Sequence, residues 1–68
     1  MAQETRNPPL EGLRTRRVFR RLKQQQMADV LGVNQSHYRQ FETGMVRLDI
    51  HRAKLLADAL ECSIEELL

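Results

Sequence analysis

Gln24-Gln25-Gln26-Met27-Ala28-Asp29-Val30-Leu31-Gly32-Val33-Asn34-Gln35-Ser36-His37-Tyr38-Arg39-Gln40-Phe41-Glu42-Thr43-Gly44 is the stretch whose reading decides the fold. Met27, Ala28 and Leu31 fall on one face of a short helix. Gly32 follows, able to take the left-handed conformation that turns the chain. Asn34 is a good N-cap for a second helix, Gln35 to Thr43, ended by Gly44. Tyr38 and Phe41 mark its inward face; Ser36, Arg39, Gln40 and Thr43 lie on the outward one. Two short helices joined by a glycine turn, the second with hydrogen-bonding side chains outward, form a helix-turn-helix pattern over about residues 24–43. In that pattern Ala28 is small where the helices cross, and Val33 plugs the turn.

On the N-terminal side, Leu10, Leu13, Val18 and Leu22 form a loose apolar stripe interrupted by arginines, which predicts a first helix from Leu10 to about Leu22. Residues 1–9 carry two prolines and no periodicity, and read as a flexible arm; Asn7-Pro8 is a possible helix start. On the C-terminal side, Asp49 caps a fourth helix in which Ile50, Ala53, Leu56, Ala57 and Leu60 repeat at helical spacing. Ser63-Ile64-Glu65-Glu66 fits a capping box, opening a short fifth helix that ends at Leu68. The expectation is one all-α domain, residues 10–68, of five short helices and no strands.

The 68 residues allow only a small core. Cys62 is the single cysteine, so no disulfide forms within the chain, and a lone thiol suits a reducing compartment. No apolar run reaches the length of a membrane span or resembles a signal peptide, so the chain reads as soluble and cytoplasmic. The net charge is +2, unevenly spread. Residues 1–25 hold Arg6, Arg14, Arg16, Arg17, Arg20, Arg21 and Lys23 against Glu4 and Glu11. Residues 48–68 hold Asp49, Asp58, Glu61, Glu65 and Glu66 against Arg52 and Lys54. A basic end attracts polyanions, although surplus arginine on a solvated helix gives the same count. There is no nucleophile–base pair, no phosphate loop and no metal-ligand spacing. His51 and Cys62 do not make a zinc set. An enzyme and a cofactor are not expected.

With these motifs in place, the sequence resembles the Cro/cI-like (XRE-like) helix-turn-helix family of phage and bacterial transcriptional regulators. The resemblance rests on Gln24, Met27-Ala28, Leu31-Gly32-Val33, Asn34 and Glu42-Thr43-Gly44, with Arg17 upstream and Ala57, Leu60 and Ser63 to Leu67 downstream. It covers about residues 13 to 67. Lys23 departs from the usual serine or threonine cap, Leu48 from a common proline, and Glu61 from a glycine that normally ends the fourth helix.

The resemblance implies a lambda-repressor-like DNA-binding domain with Gln35, Ser36, Arg39 and Gln40 reading bases in the major groove. The chemistry agrees, since glutamine pairs bidentately with adenine and arginine with guanine. It implies phosphate contacts from Lys23, Gln24, Thr43 and Arg47, and a salt bridge near the DNA between Arg17 and Glu42. Arg14, Arg16, Arg20 and Arg21 are either solvated or extend the basic footprint. The implied partner is a palindromic double-stranded operator bound by a homodimer, with Ile64, Leu67 and Leu68 as expected dimer contacts. Arg6 in the arm is a candidate for the minor groove. A protein-interaction module of the same fold, such as an antitoxin, is the rival reading.

Overall fold

The computed structural model describes residues 8–68. Four α-helices follow one another: α1 (Glu11–Phe19), α2 (Gln24–Leu31), α3 (Gln35–Thr43) and α4 (Ile50–Leu60). A single 3-10 turn, Glu65–Leu67, closes the chain. No strand occurs among the described residues. The expectations placed on the arm's first residues, including Arg6 and the Asn7 cap, lie outside the described residues.

Side-chain caps start two of the helices. Asn34 Oδ1 accepts the His37 amide at 2.7 Å, and Asp49 Oδ2 accepts the Arg52 amide at 3.1 Å. At α2 the cap works in reverse: Gln26 Oε1 accepts the Lys23 amide at 2.7 Å, so the departure at Lys23 leaves no frayed start.

Three helices end in one shared geometry. After α1, α2 and α4, Arg21, Gly32 and Glu61 take left-handed φ values of 58°, 71° and 55°. The next residue then donates its amide five residues back: Leu22 to Arg17 at 3.0 Å, Val33 to Ala28 at 3.0 Å, and Cys62 to Ala57 at 3.0 Å. This is the Schellman ending, and each time it turns a half-buried residue (Leu22, Val33 or Cys62) onto the core. It corrects the first helix, which stops at Phe19 rather than near Leu22. No glycine signals the stop; Arg21 takes the strained conformation instead.

The core consists of Leu13 from α1, Met27 and Ala28 from α2, Tyr38 and Phe41 from α3, Ala53, Leu56, Ala57 and Leu60 from α4, and Leu67. Two residues of the expected apolar faces point outward: Val18 is 55% exposed and Ile50 72%. The fifth helix is also corrected. Glu66, Leu67 and Leu68 donate to carbonyls three residues back, so the segment closes as a 3-10 turn. The Ser63–Glu66 box is made, with the Ser63 amide reaching Glu66 Oε1 at 2.8 Å.

That turn lies directly on α1. The Gly12 amide donates to the Leu68 carbonyl at 3.2 Å. A Cβ on Gly12 would stand 2.1 Å from the Glu66 carbonyl oxygen, so only glycine permits the approach. Leu67, expected as a dimer contact, is carried inward by this docking and is 1% exposed. Arg16 pairs with Glu66 across the same seam.

Candidate nucleic-acid interface

α3 divides sharply along its length. Tyr38, Phe41 and Glu42 are buried. Gln35, Ser36, Arg39, Gln40 and Thr43 are all exposed. The four expected base readers therefore stand on one outward surface of a helix that is fixed from behind. Phe41 is further held by His37, stacked at 4.9 Å between ring centroids, and by the Arg52 guanidinium 5.7 Å from its ring centre.

The fixing is polar as well as apolar, and Glu42 is its centre. Arg17 Nε donates to Glu42 Oε2 at 2.6 Å, and Tyr38 Oη donates to the same oxygen at 2.6 Å. Gln24 Nε2 reaches Glu42 Oε1 at 3.3 Å. Arg17 Nη1 also holds the Leu22 carbonyl at 2.8 Å, tying the turn after α1 to α3. Burial resists ionisation of Glu42. The bonds from Arg17, Tyr38 and Gln24 outweigh it and hold the carboxyl below its ordinary range. The bond to Glu42 raises the Arg17 pKa in turn. Burial first, and the hydrogen bond to Glu42 second, push the Tyr38 phenol well above its ordinary value.

Gln24 extends this network to the surface. Its Oε1 accepts from Gln35 Nε2 at 3.4 Å, so a chain of side chains runs from Arg17 through Glu42 and Gln24 to the first residue of α3. Gln24 is half-buried at the start of α2, beside the exposed Lys23. Arg47 is exposed beyond α3, in the loop before α4. The Thr43 hydroxyl donates to the Gln40 carbonyl at 3.4 Å. Of the expected dimer contacts, Leu68 is 76% exposed and Ile64 half-buried, while Leu67 is in the core.

Sequence reasoning missed one member of the network and one helix cap. Tyr38 reads as an apolar anchor, yet its hydroxyl completes the Glu42 site; the i, i+4 spacing of Tyr38 and Glu42 is the available signal. Gln26 reads as solvated but supplies the cap of α2. Cys62 is half-buried and packs against the core, which raises its thiol pKa.

A pair of short helices locked at a glycine turn, with a rigid polar face turned outward, defines the helix-turn-helix class of DNA-binding domain, whose partner is double-stranded DNA. The family model described as Helix-turn-helix matches residues 13–67, and the chain belongs to that family, the XRE type that includes the Cro- and cI-like regulators. It is a family of DNA-binding proteins, typically without enzymatic activity. No curated protein and no solved structure matches the chain. No helix among the described residues is long and apolar enough to cross a membrane.

Proposed function

We propose that the chain is a sequence-specific transcriptional repressor that binds a palindromic operator as a homodimer, with α3 in the major groove. The observation that carries this reading is the division of α3. Gln35, Ser36, Arg39 and Gln40 are exposed together, while Tyr38, Phe41 and Glu42 hold the opposite face rigid. Gln35 and Gln40 suit adenine, Arg39 suits guanine, and Ser36 accepts either partner. Lys23 and Gln24 at the start of α2, Thr43 at the end of α3 and the exposed Arg47 beyond it serve as the phosphate contacts. Arg17 and Glu42 do not read bases; they set the orientation of α3 and of Gln24.

One domain of this size reads too few base pairs for useful specificity, and two copies on half-sites about one helical turn apart solve the problem. The apolar surface for the second copy is Leu68 with Ile64, next to Ile50, which is 72% exposed. Repression then follows from occupancy, the bound dimer excluding polymerase from the site, in the cytoplasm where the DNA lies.

The test is selection of duplexes from a random pool by the purified chain, followed by binding of the winner and a scrambled duplex at two salt concentrations. The expected winner is a palindrome with half-site centres about 10 base pairs apart and an affinity that falls steeply with salt. Replacing Gln35, Arg39 or Gln40 shifts base preference by about 1–3 kcal/mol per lost contact. An unenriched pool, with equal weak binding to both duplexes, would overturn the reading in favour of a protein-interaction module.

A further inference from the structure

Beside α3 an open cleft runs up to the exposed side of α1, lined by Glu11, Arg14, Gln24, Arg39, Glu42 and Thr43. Two cations without an anionic partner among the described residues face it. α1 carries three arginines, of which Arg16 is bonded to Glu66 and Arg17 to Glu42. Arg14 and Arg39 are exposed and have no anionic partner among the described residues. Of the two carboxylates in the cleft, Glu42 is neutralised by Arg17 and further bonded by Tyr38 and Gln24. Glu11 stays exposed at the opening, one turn from Arg14. The local balance therefore favours an anion next to the C-terminal half of α3.

We infer that this cleft seats a backbone phosphate of the bound DNA, and that Arg14 is the phosphate-gripping residue supplied by α1. The inference rests on the DNA-binding reading above. An arginine fork chelates a phosphodiester through two parallel N–H bonds, whereas the nearby Thr43 offers a single hydroxyl already donated to Gln40. With Arg39 directed at a base, Arg14 fixes the strand that passes beside α3. The contact sets the depth and register of the helix without selecting sequence.

The test measures salt dependence with the full chain, on the duplex selected from the random pool and on a scrambled duplex. Arg14→Gln is expected to reduce the slope of log affinity against log salt by about 0.9 per bound protomer, the value for one released counterion, and so by about 1.8 for a dimer. It does so on both duplexes, leaving the ratio of their affinities unchanged, and Arg14→Lys keeps most of the slope. Lys54→Gln, a charge loss on α4 outside the cleft, leaves the slope as in the parent. Arg14 is an exposed helix residue, so unchanged helicity and urea midpoints confirm that each variant is folded. An unaltered slope in Arg14→Gln, with Arg39→Gln still losing preference for the selected duplex, overturns the phosphate site alone. That same outcome, joined to capture of an acidic peptide by the parent but not by Arg14→Gln, would assign the cleft to a protein partner instead. Equal slope losses from Arg14→Gln and Lys54→Gln overturn it as an effect of net charge only. A parent chain that binds neither duplex in a salt-dependent way overturns the DNA-binding reading, and this inference with it.

Discussion

Arg17 and Glu42 meet at 2.6 Å from opposite helices, with side chains only 12% and 4% exposed. The pair is the point at which α1, the turn after it, and α3 are tied together, because Arg17 also holds the Leu22 carbonyl. Glu42 in turn receives Tyr38 and Gln24, and Gln24 receives Gln35. No buried side-chain nitrogen or oxygen among the described residues lacks a partner, so the network is closed as well as compact.

Removing one partner leaves a buried charge uncompensated, which is costlier than losing the bond. Arg17→Met should therefore destabilise the fold by about 3 kcal/mol, read from urea denaturation followed by circular dichroism. A loss below about 0.5 kcal/mol would mean that Glu42 is stabilised by Tyr38 and Gln24 alone.

Acid should act through the same carboxylate. The folded-state pKa of Glu42 lies below its ordinary value of 4.5, so its contribution to stability is fully present above that pH. The contribution is lost as pH falls below 4.5 and through the lower folded value. Asp49 and Glu66 are also depressed, by bonds to Arg52 and Ser63 respectively, and they add to the acid sensitivity. The difference between parent and Glu42→Gln stability isolates the Glu42 share. That difference should shrink toward acid, and a constant one across the range would contradict the assignment.

At the alkaline end, Tyr38 is the only tyrosine and the chain has no tryptophan, so near-ultraviolet phenolate absorbance reports this residue alone. Its folded-state pKa is raised, so its share of stability is present below the ordinary value of 10.0 and lost as pH rises above it. The phenol should ionise only together with loss of helicity. Ionisation near pH 10 in a chain that is still folded would show that the Tyr38–Glu42 bond is open.

The seam between α1 and the 3-10 turn depends on a missing side chain. Gly12→Ala places a methyl against backbone, not against a flexible side chain that could move away. We expect a loss of about 1–3 kcal/mol, with the C-terminal residues released from α1, visible as faster amide exchange at position 12 and at Leu67. An alanine variant as stable as the parent would exclude this docked arrangement.

The end of α4 offers the opposite change. Glu61 holds a φ of 55°, a conformation that is unfavourable for residues with a Cβ and open to glycine. Its ion pair with Arg20 is long, at 3.6 Å, and exposed, so little is lost with the side chain. Glu61→Gly is expected to raise stability by about 1 kcal/mol, measured by the same urea titration.

The helix-turn-helix was legible because its signals are local. Gly32 and Gly44 advertise the left-handed turns, Asn34 and Asp49 the caps, and the spacing of Met27, Ala28, Tyr38 and Phe41 the buried faces. Local chemistry also marked the exposed row of α3, since residues not needed in the core stand free on the other side of the helix. The pairing of Arg17 with Glu42 was suggested only through family resemblance, because nothing in a linear chain brings positions 25 apart together.

What only the tertiary structure decided lies where packing overrides propensity. Arg21 and Glu61 take turns that glycine would take more easily, because Leu22 and Cys62 gain a place against the core by it. Leu67 is apolar at the chain's edge and reads as a contact for a second copy, yet docking of the 3-10 turn on Gly12 carries it inside. Arg14 looks like any other arginine of α1 until its neighbours find partners and it is left facing the cleft beside α3. A sequence shows which groups a residue carries; which of those groups remain unpaired is settled only when the other elements have closed around it.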